Sequence, residues 1–281
     1  MQAALRELIG ETGDHGVDPA AVLLQARSHG LVLDREDLCQ LFALGGQPGV
    51  FAAPAFIPGF LCAYLRERAP RPCLIVDLWA AAGWMLPPLV EELRPAHAIG
   101  VVPDRRSGKI AELLAPPGQI VWRADDAGTV AARLEPGVDV VLGCPPWHWQ
   151  PRNLRVETAN GPILLTEDPA NAALLTACTR LAPGGVGLFI VGPGFVMRPG
   201  PGTAFANLER FGLSLQLMLE LPRGIFVPDS GTGRLMIGIG PAPCPAPLVG
   251  SLTPDPHRTA TLLAALHQAS GPDMRRRERR N

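Results

Sequence analysis

The stretch Val138-Asp139-Val140-Val141-Leu142-Gly143-Cys144-Pro145-Pro146-Trp147 decides how the chain is read, because an apolar strand runs there into two prolines and an aromatic ring. A run of branched residues reads as a buried strand, and the prolines end its ladder, since neither has a backbone N–H to donate. The ring is thereby held at the strand's carboxyl end. Ligands of open α/β sheets bind at that end, so Trp147 is either a stacking platform or a core plug.

Working outward, Arg71 to Asp77 reads as a buried strand ending on a carboxylate, followed by the small-residue turn Leu78-Trp79-Ala80-Ala81-Ala82-Gly83-Trp84 and a helix through Glu92. Strand, small-residue turn and helix open a nucleotide-binding α/β unit. A second strand over Ala96–Val102, a helix from about Arg105 to Leu114, a third strand over Gln119–Arg123 and a helix over Thr129–Leu134 continue the rhythm up to Val138. Beyond Trp147 the polar stretch His148 to Asp168 predicts an irregular loop over the site, with a helix over Pro169–Leu181 after it. Strands over Val186–Val191, Ser214–Leu221 and Arg234–Ile239 follow, the last two flanking a Pro222–Pro228 loop and suited to an antiparallel edge. The expected fold is α/β, a doubly wound, mostly parallel seven-stranded sheet with a small N-terminal helical segment.

Three regions are expected. Residues 1–46 read as helices, the best marked having Asp18 as N-cap and Pro19 at the first helical position. A hinge at Gly45-Gly46-Gln47-Pro48-Gly49 opens a core over 47–240, and 241–281 reads as a Pro-rich linker, a short helix from about Pro256 to Ala269 and a tail rich in arginine. Such a tail is ordinarily a solvated end and can also touch nucleic acid.

A chain of 281 residues with 47% hydrophobic content can bury a core unaided. Net charge near −1 argues against a globally basic nucleic-acid binder and leaves room for a local basic groove. Lys109 is the only lysine, so arginine in place of lysine carries no message here. The six cysteines are widely spaced without a C-x-x-C pair, which predicts reduced thiols and neither a metal site nor a disulfide framework. No apolar run reaches the roughly 20 residues of a membrane span and no leader pattern is visible, so a cytoplasmic protein without membrane contact is expected.

In this order the pieces resemble the class I S-adenosylmethionine-dependent DNA methyltransferases of the adenine-N6 type, notably the modification subunit of type I restriction systems. Gly49-Val50-Phe51-Ala52-Ala53-Pro54 is similar to that family's G-x-[FY]-[FY]-T-P entry, Asp77 to Gly83 to its D-P-A-C-G-S-G cofactor loop, and Gly143 to Trp147 to its [ND]-P-P-[YFW] motif. Leu181-Ala182-Pro183-Gly184-Gly185 and Leu221-Pro222-Arg223-Gly224-Ile225-Phe226 are similar to its late L-K-P-G-G and L-P-x-G-[IVL]-F motifs. The resemblance implies S-adenosylmethionine as cofactor, held by Ala53, Pro54, Asp77, Ala81, Gly83, Val102 and Asp125. It implies a base pocket of Cys144, Pro145, Pro146 and Trp147, with Phe226 near it, and DNA as partner alongside a specificity or nuclease subunit.

The chemistry explains these residue types. An exocyclic amino group is a poor nucleophile because its lone pair is delocalised into the ring, and an Asn or Asp with a prolyl carbonyl draws it toward a tetrahedral form. The aromatic ring stacks on a flipped base, a contact worth roughly 1–3 kcal/mol. This chain departs from the pattern at several positions. Cys144 stands for the Asn or Asp, Val102 for the ribose-binding acid, Ala53 for the entry Thr, and Leu78 and Ala81 for the loop's Pro and first Gly. A thiol accepts hydrogen bonds weakly and a valine not at all. Asp104, two positions beyond Val102, is a candidate substitute. Three readings follow: a DNA adenine-N6 methyltransferase, an inactive subunit of that fold serving DNA binding or assembly, and an N-methyltransferase for a protein amide or small molecule.

Overall fold

A computed structural model describes residues 54–69, 71–80, 84–146, 150–158, 161–198, 200–225, 233–244 and 246–269, together with Val22, Gln25 and Ala26. The helices expected over 1–46, the hinge at 45–49 and the arginine-rich tail lie outside them, except that Val22, Gln25 and Ala26 are helical. Val22 and Ala26, one helical turn apart, are both buried in the main core.

Helix α1 (Phe56–Arg68) leads into β1 (Leu74–Asp77), α2 (Leu86–Leu93), β2 (His97–Val102), α3 (Arg105–Leu114), β3 (Val121–Ala124), α4 (Ala127–Arg133) and β4 (Val138–Gly143). After these come β5 (Arg152–Val156), β6 (Ile163–Glu167), α5 (Pro169–Cys178), β7 (Leu181–Val191) and the short α6 (Gly194–Met197). A 3-10 helix (Phe205–Phe211), β8 (Leu213–Leu221), β9 (Arg234–Pro241), β10 (Leu248–Ser251) and α7 (Pro256–Ala269) complete the described chain.

The main sheet has the order β10-β8-β9-β7-β4-β1-β2-β3. All neighbours pair in parallel except β9, which is antiparallel to both β7 and β8. The central strands are largely apolar because both faces are covered, as parallel sheets require. Successive residues divide between the two faces. Ile75, Val140, Leu142 and Leu188 pack toward Phe60 and Leu65 of α1, Leu86 and Leu89 of α2 and Leu266 of α7. Val76, Val141, Phe189 and Ile237 pack toward Val130 of α4, Leu174 and Leu175 of α5 and Phe211 of the 3-10 helix. Helix starts follow local capping chemistry: the carboxylates of Asp104, Asp126 and Asp168 accept from Ser107, Thr129 and Ala170 backbone N–H groups at 2.8, 2.8 and 2.9 Å.

Two differences from the sequence reading have clear physical causes. The sheet has eight strands where seven were expected, because β10 joins the edge beside β8 in the stretch read as a Pro-rich linker. The antiparallel pair β8–β9 therefore does not form the edge. The second difference is that much of His148–Asp168, expected to be an irregular loop, is the antiparallel hairpin β5–β6, with Val156 opposite Ile163 and Leu154 opposite Leu165. Its basis is a period of two in Ile163-Leu164-Leu165-Thr166-Glu167, whose members alternate buried and exposed. The inward side chains Val156, Ile163 and Leu165 join the core face shared with α5.

The alternation makes a sharp expectation. Leu165 is 2% exposed and Leu164 is 73% exposed. Leu165→Ala should cost roughly 2–5 kcal/mol in urea unfolding, whereas Leu164→Ala should stay within about 0.5 kcal/mol of wild type. Equal effects at the two positions would remove the hairpin.

Candidate functional site

Strand order reverses between β1 and β4, since the chain steps from β1 outward to β2 and β3 and then returns to the other side of β1. A crevice opens at the carboxyl ends of the strands at such a reversal. Asp77 ends β1 opposite Leu142, so Gly143 and Cys144 emerge from the neighbouring strand end beside it. The turn after β1 is stitched on both sides: Leu78 N–H donates to Leu142 O at 3.0 Å and Ala80 N–H to Val101 O at 2.9 Å. Trp79 N–H donates to Asp77 Oδ1 at 3.1 Å.

Asp77 is fully buried, and its Oδ2 has no hydrogen-bond partner among the described residues. Loss of hydration pushes its carboxyl up to about 7, opposed only by the Trp79 N–H. Cys144 is half-buried, Pro145 buried and Pro146 exposed. Trp79 leans on this strand end from the α4–α5 side. A Cβ on Gly143 would stand 2.8 Å from Trp79 Cε3 and 3.5 Å from Phe189 Cδ1, so the glycine is required by the indole.

Across β1, Val102 ends β2 only 1% exposed and packs with Ala80, Ala111 and the half-buried Trp122. Asp104, two positions on, caps α3 with its Oδ1. Asp125 is exposed: its N–H donates to Val102 O at 3.2 Å, its Oδ1 accepts from Asp126 N–H at 2.8 Å, and Arg133 Nη1 lies 4.0 Å from its Oδ2. Pro54 sits at the start of α1, where its carbonyl accepts from Ile57 N–H at 3.0 Å. Ala53, Ala81, Gly83, Trp147 and Phe226 lie outside the described residues. Among the candidates that are described, the fold gathers Asp77, Cys144, Pro145 and Pro146 at two adjacent strand ends. Val102 and Asp125 lie at the ends of β2 and β3, on the other side of β1.

Sequence reasoning passed over two features here. One is the Trp79–Gly143 contact, which no local pattern announces. The other is the carboxylate pair Glu167 and Asp168, both buried, where only the N-cap position before Pro169 gave a signal. Among the described residues no group of three or more His, Cys, Asp or Glu could hold a metal ion. No helix among them is long and apolar enough to cross a membrane.

The fold has counterparts among solved structures. The fold is that of the class I S-adenosylmethionine-dependent methyltransferases. A protein of Listeria monocytogenes described as belonging to that class superposes with a TM-score of 0.66 at 18% identity, covering 89% of this chain and 91% of the other. The methyltransferase subunit of a type I restriction-modification system of Streptococcus thermophilus superposes with a TM-score of 0.63 at 15% identity, over 90% of this chain and 62% of that one. The M protein of the type I restriction enzyme EcoKI does so with a TM-score of 0.54 at 17% identity, over 92% and 60%. The chain thus spans somewhat less than two thirds of the length of these restriction-modification proteins. No protein-family model and no curated protein matches it.

A methyltransferase fold of this class is the scaffold on which the residues must be judged against its cofactor. The buried Asp77 Oδ2 lacks a donor and fits an ammonium or hydroxyl group. At the end of β2 Val102 offers no acceptor for a ribose diol, and one of the two carboxylate oxygens of Asp104 caps α3.

Two expectations follow. A carboxyl whose folded value is near 7 against an ordinary 3.8 binds its proton more tightly when folded, so its stability contribution is complete below about pH 4 and is lost as pH rises to 7. Asp77→Asn should then raise stability by on the order of 4 kcal/mol at pH 8 and change little at pH 4, measured by urea unfolding at both values. Gly143→Ala should destabilise by roughly 1–3 kcal/mol through the indole, and Trp79→Ala in the same chain should cancel most of that penalty. Additive effects in this double-mutant cycle would show that ring and glycine do not meet.

Proposed function

We propose that the chain is a methyltransferase-fold protein of the DNA adenine-N6, restriction-modification kind that engages DNA and no longer transfers methyl groups by that family's route. Its base pocket is Cys144, Pro145, Pro146 and Trp147, with Phe226 near it. The observation that carries the reading is Cys144 at the end of β4, directly before Pro145 and Pro146, where an amide or carboxylate oxygen would polarise the target nitrogen. A thiol is a weak acceptor and a half-buried one cannot pull the amino group toward a tetrahedral form. Val102 in its apolar cluster supports the same reading, since each ribose hydroxyl left without a partner costs about 1–3 kcal/mol.

In this reading residues 47–240 form the methyltransferase-like core, extended by β10 and α7 from the C-terminal segment. Residues 1–46 provide a helical segment. Sequence-specific recognition is supplied by a partner, a specificity or nuclease subunit. Two solved chains of similar fold are described as a methyltransferase subunit and an M protein of type I restriction systems. S-adenosylmethionine, if held at all, would meet Asp77, with Pro54, Ala53, Ala81, Gly83 and Asp125 as its remaining candidate contacts.

A working methyltransferase is the second reading, and the free Asp77 Oδ2 favours it. Calorimetric titration with S-adenosylmethionine, paired with an electrophoretic shift on adenine-containing duplex DNA, separates the two. The expected result is no heat at near-millimolar ligand, retained DNA binding, and no transfer of labelled methyl even in Cys144→Asn. Saturable heat together with labelled DNA would establish the working enzyme in its place.

A further inference from the structure

Residues 144–168 join the end of β4 to the start of α5, a step for which strand-to-helix connections ordinarily take about 2–6 residues. The main sheet has no use for the excess, since β5 and β6 form a two-stranded ribbon of their own outside it. The base of that ribbon is closed and tied down. Asp168 Oδ2 accepts from Gln150 N–H at 2.9 Å across the base. Glu167, 1% exposed, accepts from Asp168 N–H, Asn171 Nδ2 and Ala204 N–H at 2.9, 3.0 and 2.7 Å. Because β4 ends and α5 starts at the carboxyl ends of the parallel strands, the ribbon stands on the side of the sheet where the crevice opens.

The two faces of the ribbon differ in chemistry. Leu154, Val156, Ile163 and Leu165 face the core. Arg155 lies opposite Leu164 and Asn153 opposite Thr166, and these four side chains share the outward face. The charges are sorted as well: Glu167 and Asp168 are buried, while Arg152 and Arg155 are exposed. Glu157 accepts from Arg155 Nε at 2.7 Å, and with the two side chains 65% and 67% exposed the contact holds the guanidinium in solvent without burying it. Thr166 Oγ1 donates to Asn153 Oδ1 at 3.2 Å, which occupies the acceptor of that amide and leaves its nitrogen to donate. The outward face thus offers donors beside an exposed leucine. A duplex backbone is the complement of such a surface, since its acceptor-only phosphates alternate with apolar sugars, and a two-stranded ribbon has the width that a major groove admits.

We propose that the outward face of the β5–β6 ribbon is a contact surface for the backbone of duplex DNA, with Arg155 on a phosphate and Leu164 against the adjoining sugar. The inference deepens the DNA-engaging reading above and rests on it. Backbone contacts set position and carry no sequence information, which agrees with recognition supplied by a partner. A net charge of −1 over the whole chain does not oppose it, because a locally placed cation acts on the phosphate it touches.

The test measures affinity of the full chain for a short adenine-containing duplex by fluorescence anisotropy across a salt series, in wild type, Arg155→Ala, Leu164→Ala and Arg258→Ala. Arg155→Ala should weaken binding about fivefold near 0.1 M salt and reduce the slope of log affinity against log salt by about 0.9, the share of one phosphate contact. Leu164→Ala should weaken binding about threefold and keep the wild-type slope, because no charge is lost. Arg258 is the control: it lies on α7, 74% exposed and 3.9 Å from Asp255, and its removal should change neither affinity nor slope. All three variants should keep the wild-type midpoint of urea unfolding, since each side chain is exposed. An unchanged slope in Arg155→Ala, with wild type binding the duplex, overturns the ribbon as the contact and leaves the DNA-engaging reading standing. So does an equal loss in Arg258→Ala, which would make the effect one of net charge. A wild-type chain that does not bind the duplex at all removes both.

Discussion

The pairing of β1 with β4 is the contact from which the architecture follows. Asp77 faces Leu142 across that ladder, and the next backbone N–H, that of Leu78, closes onto the same Leu142 carbonyl. Because strand residues alternate between two buried faces, a slip of one residue would send every apolar side chain of β1 to the wrong layer. Register is therefore fixed by packing on both sides. With it are fixed the neighbouring exits of Asp77 and Cys144, the seat of Trp79 on Gly143 and the apolar end of β2.

Among the described carboxylates around the site, all but one are satisfied. Val102 is packed among Ala80, Ala111 and Trp122, Asp104 and Asp126 serve helix ends, and Glu167 and Asp168 have their oxygens satisfied. Asp77 alone keeps a carboxyl oxygen buried with no donor among the described residues. An unsatisfied buried group of this kind calls for an explanation beyond packing. The two neighbouring strand ends thus differ in kind, a buried carboxylate at the end of β1 and an apolar cluster at the end of β2.

Much of this was legible in advance because it depends on local periodicity. Buried strands at β1, β2 and β4, with Asp77 and Gly143 at their ends, follow from apolar runs bounded by small residues and prolines, and the helices beginning at Arg105 and Pro169 follow from the alternation of strand and helix. What escaped depends on longer-range partners. β5 carries Arg152, Asn153 and Arg155 and reads as polar until β6 supplies a paired face, and β10 is flanked by prolines that mimic a linker. The Trp79–Gly143 contact and the Gln150–Asp168 bond join residues with no pattern in common. Asp104, read for its distance from Val102, also caps α3 with one oxygen, a local role that the sequence reading did not assign.

The hairpin also has a history within each folding event. β5 and β6 meet across residues 157–162, a short closure, whereas β1 and β4 can pair only after residues 78–137 have been gathered. Loop-closure entropy favours the short closure, and isolated hairpins form in roughly 1–10 μs. The hairpin is thus able to form before β1 and β4 pair. Until α5 and the β7 face arrive to cover Val156, Ile163 and Leu165, it is an apolar ribbon presented to solvent and open to pairing with a neighbour.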